Sequence, residues 1–229
     1  MNVIALIPAA GAGKRMGGER NKQYLEVGGR PILVHTLEVF DRCDAISEVY
    51  LIVPEDDLAF ACEIVDGMRF SKNIKVIPGG KERQDSVRNG LNSIYRCDMV
   101  MVHDGVRPFV TEEIINRAIE ETIKCGATTV AVPAKDTIKS VDEDKNVIET
   151  LERKKLWQVQ TPQTFKYEIM KEAFGRAYAD GFYGTDDAAL VERLGYKVKI
   201  VEGSYQNIKI TTPEDMIIAE AILRSNVKK

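Results

Sequence analysis

Four apolar runs in the first half of this chain each stop at a proline, a glycine pair or a polar turn. Val3-Ile4-Ala5-Leu6-Ile7 stops at Pro8, and Val49-Tyr50-Leu51-Ile52-Val53 at Pro54. Ile74-Lys75-Val76-Ile77 stops at Pro78-Gly79-Gly80, and Met99-Val100-Met101-Val102 at His103-Asp104-Gly105. Strands that are apolar without alternation are covered on both faces, which is the signature of a mainly parallel sheet between helices. The segments between them have helical spacing: 31–40 with Pro31 in its first turn, 56–65, 83–95, and one capped by Thr111-Glu112-Glu113 that stops at Cys125-Gly126. Residues 128–132 read as a further buried strand. The spacing therefore predicts an α/β fold with a mostly parallel central sheet. Ligands of such sheets gather beyond the carboxyl ends of the strands, and three loops fall there: 8–18, 78–85 and 103–108.

The first of these loops is rich in small residues and cations. Ala9-Ala10-Gly11-Ala12-Gly13 is followed by Lys14, Arg15 and, after Gly17, by Lys22-Gln23-Tyr24-Leu25. Small residues let backbone N–H groups approach an anion, and the cations neutralise phosphate oxygens. The dinucleotide fingerprint G-x-G-x-x-G does not fit, because the third glycine comes one residue late. The Walker loop does not fit either, because Gly13-Lys14 is followed by Arg15 and the upstream glycine position holds Pro8. What remains is a polyphosphate loop of another kind, expected to take a nucleoside triphosphate.

Composition limits the partners. A net charge of −3 over 229 residues argues against general nucleic-acid binding. No apolar run nears the ~18 residues of a membrane span, and no signal peptide is evident, so a cytoplasmic location without membrane contact is expected. Cys43, Cys62, Cys97 and Cys125 are widely spaced, and His35 and His103 are the two histidines. A zinc site is not expected; the cysteines read as buried free thiols.

After Pro133 the pattern changes. Thr137-Ile138-Lys139-Ser140-Val141, Val147-Ile148-Glu149-Thr150-Leu151 and Leu156-Trp157-Gln158-Val159-Gln160 are short alternating runs, with 142–146 as a hairpin turn. Residues 136–162 thus read as a β-arm inserted in a single domain of 1–229. The arm either pairs with another chain or folds back on its own domain. Helices are expected at 167–179 and 185–194, strands at 197–201 and 208–210, and a last helix opening at Thr212-Pro213-Glu214-Asp215.

Asp104, at the end of a buried strand beside a phosphate loop, is placed to serve Mg²⁺, or else to cap a turn. Arg107 offers a fork for phosphate, or else is solvated or caps the core. Gly79-Gly80 lies before a helix, where backbone groups and Ser86 read a base, or Asp85 or Ser86 caps the helix. Arg153-Lys154-Lys155 and Lys209 add positive charge. Neither a Ser-His-Asp set nor a Cys-His pair has a convincing context, so covalent acyl chemistry is not indicated.

Six motifs in order, Ala9-Ala10-Gly11-x-Gly13-x-Arg15-Met16, Lys22-Gln23-Tyr24-Leu25, Arg83-x-Asp85-Ser86-Val87, His103-Asp104-x-x-Arg107-Pro108, Thr161-Pro162-Gln163 and Asn207-Ile208-Lys209-Ile210-Thr211, resemble the 2-C-methyl-D-erythritol 4-phosphate cytidylyltransferases of the non-mevalonate isoprenoid pathway. The resemblance spans nearly the whole chain. It implies a Rossmann-like nucleotidyltransferase fold, a homodimer joined by β-arms, and Mg²⁺-assisted transfer of CMP from CTP to the substrate phosphate. It further implies that Ala9, Ala10, Gly11, Ala12 and Gly13 wrap the nucleotide, and that Arg15 and Lys22 hold the triphosphate. Gly80, Lys81 and Ser86 would surround the cytosine, with Asp104 near the metal and ribose. Arg107, Thr185 and Lys209 would meet the second substrate, joined by Thr137, Arg153 and Thr161 from the partner's arm. Gln206 stands where many relatives have an acidic residue, and Gly105 replaces a common alanine. No fused downstream cyclase domain is expected after Lys229.

Overall fold

The computed structural model describes residues 1–11 and 21–226. Ala12, Gly13 and Arg15, three of the expected loop residues, lie outside the described residues. A seven-stranded sheet forms the centre. Its strands are β1 (Val3–Pro8), β4 (Glu48–Val53), β5 (Ile74–Pro78), β6 (Met99–Val102), β7 (Ala127–Pro133), β10 (Trp157–Lys166) and β11 (Lys199–Glu202). They lie in the order β11-β7-β10-β6-β1-β4-β5. β1 runs parallel to β4 and β6, β4 to β5, and β11 to β7. β10 alone is antiparallel to both its neighbours. The sheet is mostly parallel, as the continuous apolar strands required.

The period-two geometry of a strand divides the core into two layers. Val3, Ala5, Ile7, Val49, Leu51, Val53, Met99 and Met101 face α1 (Ile32–Arg42), α2 (Leu58–Gly67) and α4 (Glu112–Cys125). Ile4, Leu6, Tyr50, Ile52, Val100, Val102 and Phe165 face α3 (Arg83–Asn92), α5 (Tyr167–Ala179) and α6 (Asp187–Arg193). Each large side chain buried this way contributes about 1.5–3 kcal/mol. A smaller third cluster, built on Val27, Ile32, Val106, Ile210 and Ala219, seats α7 (Pro213–Asn226) near the cleft.

Helix ends follow local chemistry. Glu82 and Asp85 form a reciprocal capping box at the start of α3. Gly126, with φ of 90°, closes α4 in the left-handed region. The Asp215 carboxylate accepts from the Thr211 and Thr212 N–H groups at the start of α7. Pro31 stands one residue ahead of α1, in the small hairpin of β2 (Glu26–Val27) and β3 (Arg30–Pro31), which the sequence did not announce.

Three expectations are corrected. Residues 208–210 form no strand; they run as an extended segment tied by the Ile210 N–H to the Val106 carbonyl (2.9 Å) and buried through Ile210. The 136–162 segment divides in two: β8 (Lys139–Val141) and β9 (Val147–Thr150) form a separate hairpin, whereas Trp157 onward is a strand of the central sheet, paired with β7 from Trp157 and with β6 from Gln163. Cys62 and Cys125 are exposed, and only Cys43 and Cys97 are buried; all four are free. The hairpin leaves Val141, Val147 and Ile148 50%, 55% and 68% exposed, so these side chains are not buried on their own domain. No helix among the described residues is long and apolar enough to cross a membrane.

Candidate active site

Three strand ends open on one cleft of about 360 Å³. β1 delivers Pro8, Ala9, Ala10 and Gly11; β5 leads to Gly80, Lys81 and Glu82; β6 leads to Asp104. Lys22, Arg83 and Lys209 complete its charged lining, in which cations outnumber carboxylates. The expected residues Ala9, Ala10, Gly11, Lys22, Gly80, Lys81, Ser86, Asp104 and Lys209 are thus brought together.

One wall is made of backbone. A Cβ on Gly79 would stand 2.7 Å from that of Ala10, and one on Gly80 2.3 Å from that of Asp85. Both are closer than real Cβ contacts, so the loop approaches β1 and α3 this tightly only without side chains. Ser86 braces it: its hydroxyl accepts from the Gly80 N–H (3.0 Å) and donates to the Glu82 carbonyl (3.1 Å). At this helix start Glu82 and Asp85 cap α3, and Ser86 holds the loop.

The facing wall is made of charge. Asp104 is buried, and its Oδ2 meets Lys209 Nζ at 2.9 Å and Arg107 Nε at 3.4 Å, while Oδ1 meets Arg83 Nε at 3.3 Å. Burial alone would raise its pKa. The charges of Arg83, Lys209 and Arg107 outweigh burial and hold the carboxyl far below the usual range. Arg83 also donates from Nη2 to Asp187 Oδ2 at 2.9 Å. Burial pushes the Asp187 carboxyl up, and Arg83 offsets this only in part. Burial lowers the Arg107 pKa, against the pull of Asp104. Its Nη1 donates to the Asn207 carbonyl at 2.8 Å, which ties the β6 turn to the segment carrying Lys209.

A bulge in β10 organises this wall. The register shifts between Val159 and Gln163, and Gln160 and Thr161, in the interrupted stretch, are buried and bonded to the segments that carry the site. Thr161 Oγ1 accepts from the Asp104 N–H (3.0 Å) and meets His103 Nδ1 (3.1 Å). His103 Nε2 lies 3.0 Å from the Arg107 carbonyl, which can only accept. Nε2 therefore carries the proton, and Nδ1 accepts from Thr161. Burial pushes the His103 pKa down to about 4, so the ring is neutral at pH 7 and closes the 103–107 turn rather than exchanging protons. Asn207, fully buried, donates from Nδ2 to the Thr161 carbonyl (2.8 Å) and Gln160 Oε1 (3.2 Å). Gln163 Oε1 accepts from the Asp187 and Ala188 N–H groups, and its Nε2 donates to Thr129 Oγ1 and Asp186 Oδ2. All of its hydrogen-bonding capacity is used.

Thr161 is accordingly corrected: it is no arm residue, but a buried member of the central sheet bonded to its own chain's Asp104 and His103. Thr137 and Arg153 are exposed near the hairpin, and Arg153 Nη1 donates to the Lys135 carbonyl at 3.0 Å. Neither lines the cleft of its own chain. Thr185 is exposed next to Gly184, which lines an adjoining hollow of about 460 Å³. Gln206 is exposed. The sequence alone assigned no role to Arg83, Asp187, Gln163, His103 or Asn207. Arg83, His103, Gln163 and Asn207 stand inside the six ordered motifs, which was the available signal; Asp187 stands in none.

A doubly covered, mostly parallel sheet with a small-residue loop, a glycine wall and a cation cluster beyond its carboxyl ends defines an α/β protein built to hold a polyphosphate nucleotide. The profile of the 2-C-methyl-D-erythritol 4-phosphate cytidylyltransferases matches residues 3–225, and the chain belongs to that family. A relative of that name from Geotalea uraniireducens is 52% identical over 98% of both chains. One from Geobacter metallireducens is 50% identical over 99% of this chain and 100% of its own. Among solved structures, the 4-diphosphocytidyl-2C-methyl-D-erythritol synthase of Anaerococcus prevotii superposes with a TM-score of 0.87, at 37% identity over 97% of this chain and 96% of that one. The 2-C-methyl-D-erythritol 4-phosphate cytidylyltransferase of Thermus thermophilus gives 0.80, at 34% identity over 98% and 100%.

Proposed function

We propose that this chain transfers CMP from CTP to the phosphate of 2-C-methyl-D-erythritol 4-phosphate and releases pyrophosphate. The observation that carries the reading is the gathering of Lys209 and Arg83 on Asp104 opposite a glycine wall in one cleft, with Arg107 buried against the same carboxylate. A phosphate monoester, with a second pKa near 6, is already an anion at pH 7 and needs no general base. A neutral, buried His103 is consistent with that. The difficulty is bringing two anions together, and fixed cations reduce it. Lys22, Lys209 and Arg15 are assigned to charge on the triphosphate and the departing pyrophosphate. Ala9, Ala10, Gly11, Ala12 and Gly13 are assigned to the nucleotide, with Gly80 and Lys81 at the base; Arg107 and Thr185 are assigned to the acceptor.

Among the described residues, no group of three or more His, Cys, Asp or Glu side chains could hold a metal ion. Mg²⁺ commonly takes one or two carboxylates and completes its shell with substrate phosphates and water. Asp104, one of two carboxylates lining the cleft among the described residues, would hold such an ion when the nucleotide brings it, sharing its oxygens with Arg83, Arg107 and Lys209, and the ion would then add positive charge at the phosphates. The exposed hairpin side chains fit pairing with a second copy, which would carry Thr137 and Arg153 of each hairpin to the other cleft. The test is pyrophosphate release by the purified protein with CTP, Mg²⁺ and 2-C-methyl-D-erythritol 4-phosphate, with ribitol 5-phosphate in parallel. Release with the first acceptor alone is expected; release only with ribitol 5-phosphate would overturn the acceptor, and release with neither would overturn the activity.

A further inference from the structure

Arg83 stands where two cavities meet. With Lys81 and Glu82 it lines both the 360 Å³ cleft and the 460 Å³ hollow beside it, the latter bounded also by Gln84, Tyr183 and Gly184. Its guanidinium is held along one edge: Nε faces Asp104 Oδ1 at 3.3 Å and Nη2 faces Asp187 Oδ2 at 2.9 Å. A guanidinium has five N–H donors in a fixed fork. Two carboxylates on the Nε–Nη2 edge therefore fix the plane of the group and leave the Nη1 end for a further acceptor. The support behind it is rigid. Asp187 opens α6, whose first N–H groups are accepted by Gln163 from the bulge of β10, and Gln163 is itself fully bonded and buried. So much satisfied polar structure behind one half-exposed arginine exceeds what an isolated surface ion pair needs.

We propose that Arg83 is a direct ligand of the acceptor's phosphate, aimed from the junction of the two cavities by Asp187 acting as a positioning residue. The inference rests on the cytidylyl-transfer reading of the cleft and adds a residue to it. On the cleft side of Arg83 is Gly80 of the glycine wall; on the other is the 183–184 stretch that leads to Thr185. An arginine between them meets the attacking phosphate where it approaches the nucleotide, and it does not hold the nucleotide itself.

The test compares Arg83→Gln, Arg83→Lys and Asp187→Asn with the unaltered protein. It measures kcat/KM for 2-C-methyl-D-erythritol 4-phosphate at saturating CTP, and CTP binding by calorimetry without acceptor. Arg83→Gln is expected to lower kcat/KM for the acceptor on the order of 10²-fold, the loss typical of one preorganised donor. Arg83→Lys and Asp187→Asn are each expected to lower it about tenfold. CTP affinity should stay within threefold in all three, which also reports that they fold. In Arg83→Ala, added guanidinium ion should restore part of the acceptor-dependent rate. An acceptor kcat/KM within threefold of the unaltered protein in Arg83→Gln or Arg83→Lys overturns the proposal. So does a loss that resides in CTP affinity. If the unaltered protein does not turn over this acceptor, the functional reading has failed rather than the assignment of Arg83.

Discussion

The two walls of the cleft are built by opposite means. One wall is backbone: Ala9–Gly11 and Gly79–Gly80 come close because they lack bulk, and one hydroxyl, Ser86, holds the turn. The facing wall is side chain: Arg83, Asp104, Arg107, Asp187 and Lys209 come from four separate segments and fix one another by charge. The first wall is fixed by its own backbone: the Ala9, Gly79 and Gly80 N–H groups donate to the Ile52 carbonyl, the Val53 carbonyl and the Ser86 hydroxyl. The second stores positive charge on buried carboxylates, which keeps three cations close at a site that must receive anions. A backbone wall is suited to recognition and a charged wall to lowering a barrier, so substitutions on the two should separate in KM and kcat.

The largest effect is expected on the charged wall. Lys209→Ala should lower kcat by on the order of 10²-fold or more, with CTP affinity changed far less. Steady-state pyrophosphate release checks this; a drop under threefold would remove Lys209 from the catalytic set and collapse the contrast between the walls.

The next effect sharpens how the charged wall is held. His103 is neutral in the fold, with a pKa near 4 against an ordinary 6.5. Between those values the unfolded chain binds the extra proton, so stability rises with pH across the window and is lost as pH falls from 6.5 to 4. The full difference corresponds to about 3 kcal/mol. Asp104 acts with the same sign but in a lower window, because its depressed pKa yields stability lost only below the ordinary carboxylate range. Urea unfolding at pH 7 and at pH 5 should therefore differ more for the unaltered protein than for His103→Gln. Equal pH dependence in the two would show that His103 is not the buried neutral group of the turn.

How far each wall was legible in the sequence depends on its construction. Apolar strands with glycine-rich ends are local, so β1, β5 and β6 and the three loops beyond them could be placed from spacing alone. The charged wall is not local. Asp187 lies 104 residues from Arg83, and Lys209 lies 105 from Asp104; nothing near Asp187 in sequence announces an arginine partner. β10 was misplaced for a related reason. Its run 156–160 alternates like an exposed strand, but the register breaks between Val159 and Gln163, and from Gln160 to Phe165 every residue is buried on either face, so Gln160, Thr161 and Gln163 are buried polar residues with partners on distant segments. Periodicity reads a strand's faces only while its register is unbroken.

The smallest effect tests the backbone wall directly. Gly80→Ala adds one methyl group, which would stand 2.3 Å from the Asp85 Cβ and 2.9 Å from its carbonyl carbon. The second contact is with backbone at the start of α3, so the loop must yield rather than the helix. Movement away from Asp85 loosens the Gly80 N–H from Ser86 and shifts the wall against which the base would lie. Overpacking of this kind costs roughly 1–3 kcal/mol. If about 1.4 kcal/mol of that falls on the nucleotide complex, the KM for CTP rises about tenfold. The cations on Asp104 are untouched, so kcat should stay within threefold. Steady-state kinetics at varied CTP, with acceptor held saturating, separates the two quantities. A fall in kcat with an unchanged KM would mean that the glycine wall shapes the transition state as well as the bound nucleotide, and the division of labour between backbone and charge would have to be abandoned.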